Sequence, residues 1–406
     1  MAKLLDWKVF GTLFFSLFAT ITGVGIVVPL LPVYAHNLGA KGIYVALIFG
    51  AFSLSRTFFL PYFGGLSDAK GRKPFIVGGL FVYVLIAIAF LFFNSLSGLI
   101  ILRLIQGIAS AMVMPVVQAY VGELSPTGKE GLIMGLFNTS LFLGLSLGPL
   151  IGGSLNDYFN INFAFGCMGA LAFLGFLLSA VFLPPRHVER ISSTPSVPTI
   201  QLFRSMWGML FDRNFAGLFA FRFAYTACIG IIWGFLPVFA DVQFGLSSSA
   251  IAIVITLSVF VSGITQTPMG YLADRFGHRF FVIVGGLIVS GSIWSFNWSN
   301  GFWYLFWGSI VFGIGGGMAM PALMAMGVQY GGLKQAMGTV MSMLTIAHSL
   351  GMMSGSMLAG FMMDFFELRS SFLVGAVVMF LGWGCFVLLM PDLKPPEAKS
   401  CASTMT

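Results

Sequence analysis

Three arginines and a histidine stand inside long apolar stretches of this 406-residue sequence, and no acid stands at their depth. Arg56, Arg103, Arg222 and His348 are each flanked on both sides by runs of Leu, Ile, Phe, Ala and Gly, whereas all thirteen Asp and Glu fall in polar breaks or at the ends of apolar runs. A charge in such surroundings is costly even on lenient insertion scales, so an ionisable side chain there is functional by default. Several buried cations without buried anions favour a bound group that is itself negative, such as a carboxylate or phosphate, which a guanidinium holds through charge-assisted hydrogen bonds. Gln118, Asn138 and Gln266 add neutral polarity inside the runs. Tyr225, Trp233, Met318, Met320 and Met324 offer aromatic and thioether surface for an adaptable apolar wall. Each of these residues also has a plainer reading. Arg56 and Arg222 can snorkel or bond to a neighbouring helix. Arg103, about two turns inside its run, can reach the surface. His348 can be a satisfied packing histidine, and an aromatic and Met pattern is equally what packing looks like.

The elements that must position these residues are spans. The sequence is 58% hydrophobic and only 8% charged, with a mean hydropathy of +0.97, against roughly 25% charged residues in a soluble chain. A water-soluble fold of this length could not hide that much apolar surface. Apolar runs of 18 residues or more fall at 10–35, 43–66, 74–93, 97–122, 131–156 and 163–183, and again at 214–240, 249–272, 280–297, 302–330, 335–363 and 370–390. Each is long enough to cross a hydrocarbon core about 30 Å thick as a helix. Helices are the form that satisfies a lipid-facing backbone, since the alternation of barrel strands is missing. The fold class expected is therefore an all-α membrane protein with twelve transmembrane helices. Residues 1–183 form one six-helix bundle and 214–390 a second. Residues 184–213, with Pro184, Pro185, Pro195 and Pro198, form a linker, and 391–406 a tail. The first run is too long for the core of a cleavable signal and reads as the first span. Cys167, Cys228, Cys385 and Cys401 have no metal-ligand spacing and suggest neither a disulfide framework nor a metal site.

Orientation follows from Lys and Arg. Of the twenty, fifteen fall on the side of the N-terminus, two (Lys41 and Arg369) on the opposite side, and three within spans. This places both termini in the cytoplasm and the chain in the cytoplasmic (inner) membrane. The formal net charge of +7 is spread over every edge of one face rather than gathered in a patch, which speaks against nucleic acid as a partner. The lipid bilayer and a small-molecule substrate are the partners expected, for a chain acting as a monomer.

The two halves repeat one another. LPVYA at 31–35 returns as LPVFA at 236–240, and GGLSDAKGRKP at 64–74 as GYLADRFGHRF at 270–280. Gly107, Met114 and Pro115 return as Gly313, Met320 and Pro321. Gly144, Gly148, Gly153 and Asp157 return as Gly351, Gly355, Gly360 and Asp364. Such duplication suggests two bundles rocking around a site near the midplane.

In the 64–74 segment, Gly64 and Gly65 permit close approach to a neighbouring helix, and Asp68 can accept from the N-terminus of a facing helix. Gly64, Asp68, Gly71, Arg72 and Lys73 match the pattern G-x-x-x-D-x-x-G-R-[KR], and here the chain resembles the major facilitator superfamily along essentially its whole length. The resemblance implies that this loop latches the cytoplasmic side when the cavity opens outward, with Glu123 as partner of Arg72. The second copy keeps Gly270, Asp274 and Gly277 but has His278 for the arginine, which implies an asymmetric latch. RLIQGIASA at 103–111 resembles the superfamily's fourth-span signature, with Arg103, Gln106 and Gly107 in register, and links Arg103 to proton transfer or to holding a proton acceptor. Gly144, Gly148, Pro149, Gly152 and Gly153 form G-x-x-x-G-P-x-x-G-G, which resembles the antiporter signature of drug:proton efflux carriers. A proline there removes a helix hydrogen bond and bends the span. Ser356 replaces it in the second half.

The resemblance implies a secondary-active exporter, proton-coupled and without a bound cofactor, for an amphipathic organic molecule that the buried cations suggest is anionic. With no carboxylate inside a span, coupling would have to use His348, a rim acid, or the substrate itself. Alternatives are a facilitator or importer of an anionic metabolite, a lipid-headgroup transporter, and, from another class, a membrane receptor that transports nothing or an intramembrane enzyme. GLSLG at 144–148 fits a nucleophile elbow only formally, since it lies mid-span, and no P-loop, HExxH or dinucleotide fingerprint occurs.

Overall fold

A computed structural model describes residues 5–93, 95–126, 130–184, 208–334 and 337–390. Twelve long helices run through the described residues: α1 (Trp7–Asn37), α2 (Gly42–Lys70), α3 (Arg72–Phe90), α4 (Leu96–Leu124), α5 (Glu130–Tyr158), α6 (Ile161–Phe182), α7 (Arg213–Phe244), α8 (Ser248–Phe276), α9 (His278–Ser295), α10 (Phe302–Leu333), α11 (Met337–Phe365) and α12 (Ser370–Leu389). Each contains one of the twelve predicted runs or most of it. Eleven are long and apolar enough to cross a membrane. The exception is α11, which has the length, 29 residues, but carries Thr339, Ser342, Thr345, His348, Ser349, Ser354 and Ser356. The segment 185–207 of the predicted linker and the tail from 391, with Cys401, lie outside the described residues.

Local chemistry sets the ends. Asp6, Ser95, Asn160, Asp212 and Ser247 cap α1, α4, α6, α7 and α8 by accepting from backbone amides of the first turn, replacing partners that the helix itself cannot supply. The α2–α3 and α8–α9 junctions each turn on one glycine, Gly71 at φ +89° and Gly277 at φ +101°, a conformation strained for any residue with a Cβ. Gly71 thus owes its place in the motif to backbone geometry.

The helices pack as two bundles with the same internal pattern. In the first, α1 packs on α5 and α6, α2 on α4, and α3 on α4 and α6; in the second, α7 packs on α11 and α12, α8 on α10, and α9 on α10 and α12. The bundles meet through α2 against α11, α5 against α8, and α1 against α7. Small residues set these approaches, because lipid tails offer no hydrophobic gain from helix pairing and close van der Waals contact must provide it. A Cβ on Gly107 of α4 would strike Ser55 Oγ and Phe52 O of α2; its repeat, Gly313 of α10, faces Ser258 O and Ser262 N of α8 in the same way.

Candidate functional site

The face that carries the start of α1 is called here the terminal face, and the opposite one the far face. Gly144, Gly148 and Gly152 of α5 pack on Ile21, Thr22, Gly25 and Ile26 of α1, while Gly153 turns to the other bundle and meets Ser248 and Ala252 of α8. The repeat does the same. Gly351 and Gly355 pack on Phe223, Thr226 and Ala227 of α7, and Gly360 crosses to Gly42 and Ala46 of α2. One turn further on, Asp157 accepts from the amides of Ser248 (2.9 Å) and Ser249 (2.8 Å), capping α8. Asp364 accepts from those of Gly42 (2.5 Å) and Ile43 (2.9 Å), capping α2. Asn156 adds a bond to Ser248 Oγ at 2.8 Å. The far face is therefore closed by two related clasps, each a crossing glycine followed by an acid on the partner bundle's helix.

Toward the middle the bundles still touch, at Gly50 with Met353 and at Phe142 with Gly263. Nearer the terminal face the described residues show no such contact. A Cβ on Gly64, Gly65 or Gly135 would meet nothing within 4 Å, and Asn138 and Thr139 are exposed. Among the described residues, Gly64 and Gly65 make no close approach, contrary to expectation.

The latch residues divide. Arg72 donates to Glu123 Oε1 through Nε (3.0 Å) and Nη2 (2.7 Å), and to Ser67 Oγ at 2.6 Å, which ties the α2–α3 turn to the end of α4. The Asp68 side chain lies outside the described residues. In the second half, exposed Asp274 pairs with His278 one turn on, at 2.9 Å. Lys73 and Arg279 reach the carbonyls of Leu183 and Val387, at the ends of α6 and α12. Among the described residues the second pair joins α8 to α9 and reaches no third helix.

Between the two faces lie the cations. Arg56 lies about 21 Å along α2 from its far-face end and Arg222 about 14 Å along α7 from its terminal-face end, at 1.5 Å per residue. Arg222 Nη2 stands 3.4 Å from His348 Nδ1 on α11, and its Nη1 lies 2.8 Å from the thioether of Met320 on α10. Both Arg56, from the first bundle, and Arg222, from the second, are close enough to act electrostatically on His348. Arg56 also feels Tyr83 of α3 but makes no hydrogen bond among the described residues. The Nε atoms of both arginines are buried without a partner.

Arg103 is different. It is 3% exposed, donates to Gln106 Oε1 at 2.9 Å, and lies over the rings of Phe49 and Phe52, 5.2 and 6.0 Å from their centres. It does not snorkel to the surface; it pins α4 behind α2. Tyr225 is also withdrawn, stacked on Phe312 with its hydroxyl on Ser262, inside the second bundle. Trp233, Gln118 and Gln266 are partly exposed and Asn138 exposed, and none of the four has a hydrogen-bond partner among the described residues. Gly148 is buried at the α1 contact, where Pro149 Cδ faces Gly25. Two surface grooves, one along α9 and α10 and one along α1 and α6, open on the outside of single bundles and touch none of these residues.

The far-face acids were not among the residues singled out for function. The signal was nevertheless present: an acid at the C-terminal end of a helix opposes that helix's own dipole, and the duplication keeps one in each half.

The family profile of the Major Facilitator Superfamily matches residues 13–243 and 218–403. An uncharacterized MFS-type transporter of Methanocaldococcus jannaschii is 29% identical over 360 residues, covering 89% of this chain and 92% of that protein. The quinolone resistance protein NorA of Staphylococcus aureus is 27% identical over 366 residues, covering 87% of this chain and 89% of NorA. Among solved structures, a bacterial homologue of the human lysosomal transporter Spinster, inward-facing and occupied, superposes with a TM-score of 0.80 at 15% identity, covering 97% of this chain and 99% of that one.

Proposed function

This chain belongs to the major facilitator superfamily and is a multi-pass membrane transporter; we propose that it exports a small amphipathic organic compound by proton-coupled alternating access, with its terminal face in the cytoplasm. The observation that carries this reading is the paired clasp. Asp157 and Asp364 occupy matching places in the repeat and close the same face, while the described residues of the other face show no such contact, so the molecule stands at one end of a rocking motion. The central cations lie where each face would reach them in turn. Export is supported by the G-x-x-x-G-P-x-x-G-G segment lying directly on α1 and by the relationship to NorA, whose name records quinolone resistance. Lys and Arg on the terminal face support the orientation. Since no carboxylate lies among the cations, His348, Glu123 or Asp241 would take the proton.

The test is transport in proteoliposomes with a panel of quinolones and other amphipathic organic acids and bases, with and without a pH gradient. Uptake against a concentration gradient into the compartment holding protons is expected, collapsing with a protonophore. Movement down the substrate gradient alone, indifferent to pH, would replace this reading with the second one, a facilitator or importer of an anionic metabolite, which the acid-free centre favours.

A further inference from the structure

We infer that the substrate is an organic anion and that its charged group sits between Arg56 and Arg222, one arginine from each bundle. The inference rests on the transport reading and adds the substrate class to it. Three observations meet. First, the two arginines have almost no partners of their own: Arg56 forms no hydrogen bond among the described residues, and Arg222 finds only a thioether, a weak acceptor, and a ring nitrogen at the long distance of 3.4 Å. Their Nε atoms are buried and unsatisfied, donors that an acceptor group would relieve. Second, the charge they carry is not balanced. Every Asp and Glu of the sequence lies at a helix end or in a connection, and the ionisable groups within electrostatic reach of the two arginines among the described residues are His348, Tyr83 and Tyr225, none of them a carboxylate. Third, neither arginine belongs to the repeated scaffold. By the contacts of Gly107 and Gly313, Arg56 corresponds to Ser262; by those of Gly148 and Gly355, Arg222 corresponds to Leu17. The cations therefore stand on the two bundles independently of the repeat, and both come within electrostatic reach of His348.

Arg103, a third buried arginine, differs in its surroundings: it gives one bond to Gln106 and lies over two phenyl rings within the first bundle, although its Nε and Nη2 are also buried without a partner. An anion between Arg56 and Arg222 would give each guanidinium the acceptor oxygens it lacks and would bridge the bundles, so it binds best when both arginines face the same space. The rest of the ligand would extend toward the terminal face, past Gln266 and Asn138.

The experiment is equilibrium binding to the full chain in lipid nanodiscs at pH 7.5, using three probes on one skeleton: 1-naphthoate, 1-naphthamide and 1-naphthylmethylammonium. The wild type is expected to bind the carboxylate at least about tenfold tighter than the amide, the factor that one charged hydrogen bond supplies, and the ammonium most weakly. R56Q and R222Q should each erase that preference while leaving amide binding within about twofold; R56K and R222K should retain part of it. A wild type that holds the carboxylate no tighter than the amide, including one that holds neither, overturns the inference. So does equal loss of carboxylate and amide in the Gln variants. Should a Gln variant fail to fold, the wild-type preference and the Lys variants still decide. Export of neutral or cationic compounds by a protein without this preference would sink the anion site and leave the transport reading intact; arginine-dependent carboxylate binding without any transport would do the reverse.

Discussion

The two bundles share a scaffold and differ in the chemistry placed on it. At the far face they are near copies: Gly153 and Asp157 of α5 clasp α8 as Gly360 and Asp364 of α11 clasp α2. At the terminal face they diverge. Arg72 joins Glu123 across helices, whereas His278 folds back onto Asp274, and Gln329 stands where the repeat of Glu123 would be. In the middle their charges are not repeated, with Arg56 opposite a scaffold position held by Ser262 and Arg222 opposite one held by Leu17. Closure of a face needs matched, rigid contacts on both sides of the interface, which duplication supplies directly. Recognition of an asymmetric solute needs the two sides to differ.

The sharpest way to break this comparison is to exchange Pro149 and Ser356. Ser356 Oγ donates to Gly230 O and Met352 O in a buried site, so S356P removes those bonds and places a proline ring inside a helix, at a cost of about 3 kcal/mol or more. P149S should keep the melting temperature near wild type but impair exchange. Thermal melting of both variants decides; equal destabilisation would mean that the two halves tolerate proline alike. For P149A the same outcome is expected, a folded protein with weakened or uncoupled transport, read as proton leak in proteoliposomes.

Removing both clasps comes next. D157A with D364A takes away two caps worth about 1 kcal/mol each, and the distance between labels at Lys41 and Glu367 should lengthen as the far face opens. The single variants should behave alike. If only one acid matters, the far-face symmetry is a matter of appearance.

The terminal-face pairs should be unequal. R72Q breaks bonds from a nearly buried guanidinium to a partly exposed carboxylate, expected to cost about 1–2 kcal/mol. H278Q touches an exposed pair, with an expected change below about 0.5 kcal/mol. Chemical denaturation curves would show the order, and its reversal would undo the claim of an asymmetric latch.

The smallest effect concerns the start of α7. Burial pushes the Asp212 carboxyl up, but bonds from Lys334, Tyr330 and the Asn214 amide outweigh it and hold it below the usual carboxylate range. A depressed carboxylate stabilises the fold above its unfolded pKa of about 3.9 and loses that contribution as pH falls through the folded value. D212N should therefore cost less than about 1 kcal/mol at neutral pH, with the gap to wild type narrowing below about pH 4. A gap that stays constant into acid would assign the effect to packing.

Much was determined by the sequence alone. Twelve spans, two halves and the turns at Gly71 and Gly277 follow from hydropathy, repetition and the glycine at each break, all of which are properties of neighbours along the chain. The pairing of Arg72 with Glu123 was legible because the family pattern marks Arg72 and Glu123 ends the fourth span on the same face. The tertiary structure decided what the spacing could not. Successive side chains of a helix point about 100° apart, so position along the chain says which residues share a face but not what that face meets. Arg56, Arg103 and Arg222 look equivalent as buried cations in the sequence. Packing sent Arg103 onto two rings and Gln106, Tyr225 into the second bundle, and Arg56 and Arg222, from opposite bundles, to within electrostatic reach of His348. Likewise Asp157 and Asp364 read as ordinary helix-end acids until the opposite bundle brought unpaired amides to meet them.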